Sequence, residues 1–345
     1  MLGTSGKQHT RTVVPTSPTT VCHFEVDPGT YDVEIRIGGD AAGSTRVSGG
    51  ARRSLLPETV TAAGERVTLS FTMNVRVPEG EPTRPVEGLT RPDAAAIGPD
   101  SGSPGAGSPG LNLLIGGSDP APAEIRVTRA GETLQLFLVG DSTVCDQAHV
   151  PYTGWGQQLT QYFRRGLSVA NYASSGESTV SYLEDPRLFA TVLGLMHEGD
   201  LVLVQLAHND RTTDGATYRC NLEALVDGVR GGGGRPVLLT PMVRHAFGPD
   251  GTLGNDSALL VNALGVDHPA VIRSVAASRG VPLIDLTAAS RAVVESSGAE
   301  RSRALYLCDE EQDHTHTSEH GAGVYADLVR AELLSQGLVP RHLFR

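Results

Sequence analysis

Leu134-Gln135-Leu136-Phe137-Leu138-Val139-Gly140-Asp141-Ser142-Thr143 is an apolar run that ends on a serine. Read as a strand over Leu134–Val139, it delivers Ser142 at the point where strand gives way to loop. Far downstream, Asp313-His314-Thr315-His316 opens the last helical stretch of the 345-residue chain. A Ser at a strand exit, with Asp-x-x-His late in the chain, supplies a nucleophile, a base and a group to orient the base. That combination points to a serine esterase.

From Leu134 onward the texture alternates between strand and helix. Strands are predicted at Leu167–Tyr172, Leu201–Leu206, Pro236–Thr240 and Val281–Asp285. Leu201-Val202-Leu203-Val204-Gln205-Leu206 is nearly all apolar, as a strand buried on both faces must be. Helices are predicted over Trp155–Arg164, Pro186–His197, Tyr218–Val229, His268–Ser278 and Ser318–Leu334, the third stopped by Gly231-Gly232-Gly233-Gly234. Five parallel strands covered by helices make a three-layer α/β/α sandwich, with ligands at the carboxyl ends of the strands.

Upstream the texture is β. Tyr31-Asp32-Val33-Glu34-Ile35-Arg36-Ile37 alternates apolar and charged residues, and Arg66–Val77 repeats the pattern over a longer run. Leu111–Ile115 and Glu124–Val127 add two further strands. The Pro-, Gly- and Ser-rich stretch 78–110 is expected to be a mobile loop inserted within this β unit, because closure entropy grows only logarithmically with loop length. The organisation expected is a disordered tail over 1–20, a β-sandwich over 21–131 and a catalytic domain over 132–345.

Composition removes several functions. Hydrophobic residues make up 39% of the chain, enough for real cores, while the formal charge of −11 disfavours nucleic acid and anionic membrane surfaces as partners. No stretch approaches the ~20 consecutive apolar residues of a membrane span. The first eleven residues lack the apolar core of a signal peptide, so a cytoplasmic protein is expected, or a secreted one whose leader was removed. Cys22, Cys145, Cys220 and Cys308 have no paired spacing and are expected as free thiols. Oligomeric state is not readable.

Three strand exits carry residues suited to one reaction centre. Gly176, in Ser174-Ser175-Gly176-Glu177-Ser178, offers a backbone N–H in a tight loop, although such a segment is most often just a turn. Asn209, in Ala207-His208-Asn209-Asp210, offers a neutral amide to a developing oxyanion, although an Asn-Asp pair after a strand is also a common turn. On chemistry alone either His314 or His316 serves as the base beside Asp313. A metal site on His314, His316 and His320 is the competing reading. Neither a Cys pair nor HExxH accompanies them, and the Ser and Asn need no metal, so no metal or cofactor is expected.

Taken together, these segments at successive strand ends resemble the SGNH, or GDSL-like, hydrolases, with Ser142, Gly176, Asn209 and His316 as the four letters. Within that superfamily the chain is similar to the rhamnogalacturonan acetylesterases, whose blocks read GDST, HND and DxTH. The resemblance covers roughly Leu134–Leu334 and implies a flavodoxin-like five-stranded order. It implies Ser142 as nucleophile, His316 as base oriented by Asp313, and the Ser142 N–H, Gly176 N–H and Asn209 amide as oxyanion hole. Ala207 departs from the Gly usual before HND. The β unit resembles the galactose-binding-like sandwiches that precede some bacterial members.

The expected substrate is therefore an O-acetylated polysaccharide, acetylated rhamnogalacturonan first. Its carboxylates call for local cations in an acidic protein, and Arg211, Arg244 and His245, after the third and fourth strands, are the candidates. Trp155 is a candidate sugar-stacking platform, with packing at the start of the first helix the favoured role. The rivals are an acetylesterase acting on xylan or another O-acetylated molecule, an esterase for a lipid or thioester, and a non-catalytic carbohydrate-binding protein on a retired esterase scaffold.

Overall fold

Residues 8–12, 19–76, 110–147 and 149–345 are described by the structure, a computed structural model of the chain. Two four-stranded antiparallel sheets open it. One contains β1 (His9–Thr12), β3 (Gly29–Gly38), β6 (Arg66–Val75) and β8 (Pro122–Arg129), in the order β1-β8-β3-β6. The other contains β2 (Thr20–Phe24), β4 (Gly43–Gly49), β5 (Arg53–Thr61) and β7 (Leu111–Asp119), in the order β2-β7-β4-β5. Period-two alternation sends Val33, Ile35 and Ile37 of β3 inward against Leu111, Leu113 and Ile115 of β7, which closes a sandwich core. These sheets fit a separate domain. Within the tail expected to be disordered, His9–Thr12 instead pairs antiparallel with β8, its backbone satisfying an otherwise open sheet edge. The expected mobile loop lies outside the described residues up to 109.

The second unit is the predicted α/β sheet. Its strands are β9 (Leu134–Gly140), β10 (Leu167–Asn171), β11 (Leu201–Gln205), β12 (Arg235–Leu239) and β13 (Leu283–Ile284), all parallel and ordered β10-β9-β11-β12-β13. Counted within the sheet this is 2-1-3-4-5, the flavodoxin-like order. Alternation along β9 feeds two cores. Leu136 and Leu138 face one, with α1 (Trp155–Leu159), α6 (Leu286–Ser302) and α7 (Glu319–Ser335). Phe137 and Val139 face the other, with α2 (Thr179–Glu184), α3 (Phe189–Leu195), α4 (Gly215–Gly231) and α5 (His268–Arg279).

The helix ends follow ordinary capping chemistry. Asp214 and Asp267 cap α4 and α5 with their carboxylates, and Gly280, at φ 58°, ends α5 in the left-handed conformation. Ser318 caps α7 through the Gly321 N–H. Gly321 has to be glycine, because a Cβ there would stand 1.8 Å from the Leu305 carbonyl oxygen. The predicted helix over 186–197 shortens to Phe189–Leu195, since Pro186 and its neighbours form the turn before it. Among the described residues no helix is long and apolar enough to cross a membrane, and all four cysteines are free thiols.

Candidate active site

β9 ends at Gly140, and the chain turns at once through Asp141, Ser142 and Thr143. The Asp141 carboxylate makes that turn rigid by accepting from Thr143 N at 2.9 Å and Thr143 Oγ1 at 2.7 Å. Gln147 Nε2 donates to the Ser142 carbonyl at 2.9 Å. Ser142 is held with its hydroxyl toward a second element, β15 (Asp313–Thr317), which pairs with β14 (Tyr306–Leu307). The Asp-x-x-His segment is thus a short strand rather than a free loop, because Tyr306↔Thr317 and Leu307↔Asp313 pairing backs it.

His316 Nε2 lies 2.8 Å from Ser142 Oγ, and His316 Nδ1 lies 2.6 Å from Asp313 Oδ2. A carboxylate only accepts, so Nδ1 carries the ring proton and Nε2 is left to accept from the serine hydroxyl. Burial would raise the Asp313 pKa, but the hydrogen bond and charge of His316 outweigh it and hold the carboxyl well below its ordinary range. Asp313 Oδ1 also accepts from Thr315 N at 2.8 Å and His316 N at 2.9 Å. Tyr152 meets the imidazole edge-on, with ring centroids 5.4 Å apart, and fixes its plane. Its phenol is pushed up to about 12 by burial and by the charges of Asp313 and Glu311. His314, the alternative base, turns instead to Cys308 and His245.

The other two loops converge on the same turn. Ser174 N donates to the Gly140 carbonyl at 3.0 Å, which seats the Gly176 loop beside Ser142. Gly176 has φ 84°, a conformation that favours glycine, and a Cβ there would meet no protein atom within 4 Å. Asn209 Nδ2 donates one hydrogen to the Glu177 carbonyl at 3.1 Å, tying the third loop to the second. Among the described residues the N–H groups of Ser142 and Gly176 donate to nothing.

Sequence reasoning assigns no role to Asp141 or His208, yet they lock two of these loops together. His208 Nδ1 donates to Asp141 Oδ2 at 3.1 Å, both groups being buried. Burial works to raise the Asp141 pKa, and the His208 charge and hydrogen bond reverse it, so the carboxyl sits below its ordinary range. Asp210 accepts from Thr179 N and Thr179 Oγ1, pinning the Asn209 loop to the start of α2.

The candidate substrate contacts fare unevenly. Trp155 is 1% exposed and its Nε1 donates to Gln205 Oε1, so it packs beneath the site and presents no face to a sugar. His245 is buried, with Nε2 on the Ala299 carbonyl and Ser302 Oγ, and is directed away from a substrate role. Arg211 is exposed, and Arg244 is half-buried with Nη2 on the His208 carbonyl at 3.2 Å. Burial lowers the Arg244 pKa, and the charge of Arg211 adds to that effect, so the two cations are near neighbours. His314, His316 and His320 do not form a metal-ligand group. A cavity of 1670 Å³ is lined by Thr30, Arg76, Leu134 and Asp200, and neither Ser142, Asp313 nor His316 is among its lining residues.

Comparison with known proteins places this geometry. The rhamnogalacturonan acetylesterase RhgT of Bacillus subtilis is 34% identical over 221 residues, covering 59% of this chain and 91% of that protein. A rhamnogalacturonan acetylesterase of Emericella nidulans is 24% identical over 225 residues, covering 59% of this chain and 86% of its own length. Among solved structures, protein YXIM of Bacillus subtilis superposes with a TM-score of 0.54 at 21% identity, over 96% of this chain and 88% of that one, a likeness of fold. The model of the GDSL-like lipase/acylhydrolase family matches residues 138–323. The chain belongs to the GDSL-like lipase/acylhydrolase family.

Proposed function

We propose that this chain is a serine carbohydrate esterase that removes O-acetyl groups from a polysaccharide, acetylated rhamnogalacturonan first, through an acetyl-serine intermediate. The observation that carries the reading is the unbroken relay from Ser142 Oγ through His316 to Asp313, at 2.8 and 2.6 Å. Ser142 Oγ attacks the acetyl carbonyl while His316 Nε2 takes its proton. His316 then returns that proton to the departing sugar oxygen, and a water deprotonated by His316 hydrolyses the acetyl-serine. Asp313 holds the ring tautomer and offsets the imidazolium charge.

The Ser142 and Gly176 N–H groups and the remaining Asn209 amide hydrogen are the donors for the oxyanion. Asn209→Ala is expected to lower kcat by about 10²- to 10³-fold with little change in KM. Steady-state kinetics on 4-nitrophenyl acetate checks it, and a change confined to KM would assign Asn209 to ground-state binding.

The similarity to two rhamnogalacturonan acetylesterases supports a pectic substrate. Arg211 and Arg244 supply the cations that a galacturonate carboxylate needs near a protein of net charge −11. Arg244→Ala is expected to cost about tenfold on acetylated rhamnogalacturonan while sparing a neutral acetate ester. Equal loss on both would remove the pectic argument. The division proposed is a galactose-binding-like sandwich over 21–131 and a hydrolase domain over 132–345, the sandwich acting as a brace for the site.

The decisive comparison is acetate release from acetylated rhamnogalacturonan, acetylated xylan and 4-nitrophenyl acetate. Preference for the pectic polymer supports the full reading. Preference for xylan retains the esterase and moves the substrate. Release from none would favour a binding protein on a retired scaffold.

A further inference from the structure

Behind the relay lies a second cluster that takes no part in it. His245 follows β12, Cys308 follows β14 and His314 belongs to β15, so three separate elements contribute one side chain each. A ligand atom from each lies within 4.8 Å of the other two, and among the described residues no other group of three His, Cys, Asp or Glu does so. Cys308 Sγ is 3.4 Å from His314 Nδ1. Two donors on one tetrahedral zinc, with Zn–S of about 2.3 Å and Zn–N of about 2.0 Å, stand roughly 3.5 Å apart.

His245 is arranged as a ligating histidine is. His245 Nε2 lies 2.9 Å from the Ala299 carbonyl and 3.1 Å from Ser302 Oγ. A carbonyl oxygen only accepts, so the proton is on Nε2 and the lone pair is on Nδ1. An imidazole whose second nitrogen donates to a backbone carbonyl is the usual state of a ligating histidine. The His245 and His314 rings stack at 5.7 Å and 27°, and His245 N donates to the His314 carbonyl at 2.8 Å. Cys308 is buried, while His314 is exposed and gives a cation a way in from solvent.

We propose that His245, Cys308 and His314 form a binding site for a borderline-soft divalent cation of the zinc class. Two imidazole nitrogens and the Cys308 sulfur bond the ion, and water takes the fourth position. The thiol proton passes to solvent, and nothing is oxidised or reduced. Because His314 lies between Asp313 and the base, the ion would brace the strand that carries both.

The test uses the whole 345-residue chain after chelator treatment, with cobalt(II) and zinc(II) as probes. One equivalent of cobalt(II) should produce a thiolate-to-metal charge-transfer band. Zinc(II) at about 100 times its Kd should raise the melting temperature by roughly 5–10 °C. Both responses should vanish in Cys308→Ser and in His314→Ala, the latter an exposed position where folding is not at issue. No charge-transfer band in the parent protein, or a band that survives in His314→Ala, would overturn the proposal.

Discussion

Ser142→Ala is expected to release acetate about 10⁴- to 10⁶-fold more slowly than the parent protein, with an unchanged melting temperature. The substitution removes only the hydroxyl that faces His316 Nε2. The contacts that shape the turn belong to Asp141, Thr143 and the Ser142 carbonyl, and all survive. Asp313→Asn should cost about 10⁴-fold, because an amide can donate to Nδ1 and reverse the tautomer on which the relay depends. Residues that act as one unit are not additive, so the double variant should be little worse than Ser142→Ala alone. Losses that multiply in the double variant would show that His316 and Asp313 act independently of Ser142. Single-turnover and steady-state acetate release measure all three.

Arg76→Met is expected to lose about 3–5 kcal/mol of stability and lower the melting temperature by roughly 6–15 °C. Asp146, four residues after Ser142, is fully buried, with Arg76 Nη2 at 2.7 Å and Arg53 Nε at 3.6 Å. Both arginines come from the sandwich and are themselves 4% and 1% exposed. Truncating one strands much of a buried charge, which is where the large cost arises. The pair itself adds far less. Arg76→Met with Asp146→Asn should therefore recover part of the loss. Asp146 also accepts from Asn171 Nδ2 at 2.8 Å, so the damage should reach the strand that leads to the Gly176 loop. Thermal melts of the single and double variants check this, and a melt unmoved in Arg76→Met would show that the sandwich is a bystander.

What was legible in the sequence follows from the range of the interactions concerned. Leu201–Gln205 is buried at every position, and an unbroken apolar run announces that directly. Val281–Asp285 reads equally well, yet only Leu283–Ile284 pair, since an edge strand needs few ladder bonds. Helix α6 is not legible in the sequence because its buried side includes Thr287, Ser290 and Ser302, which carry no hydrophobic period. The Asp313–His316 spacing points to the relay, but the choice of His316 over His314 rests on resemblance. In the structure it depends on Cys308 and His245, brought close by folding. Arg53 and Arg76 look like outward charges of alternating strands. Only the three-dimensional arrangement reveals a buried carboxylate 70 residues beyond Arg76. Asp141 with His208 is the same case across 67 residues.

The turn that enters β5 has a consequence for descent. The Ala51 carbonyl accepts from Gln157 at 2.5 Å, and Arg52 Nη1 donates to the Tyr152 carbonyl at 2.8 Å and to the Gln147 carbonyl at 3.2 Å. Arg53 follows at once with its contact to Asp146. Three consecutive residues of one unit thus hold four points of the other, all between Ser142 and the end of α1. A recombination event that exchanged the N-terminal half for that of a distant cousin would have to carry this tripeptide and its reciprocal partners together. The two halves are therefore expected to be inherited together, and in related chains these positions should change in concert with their partners.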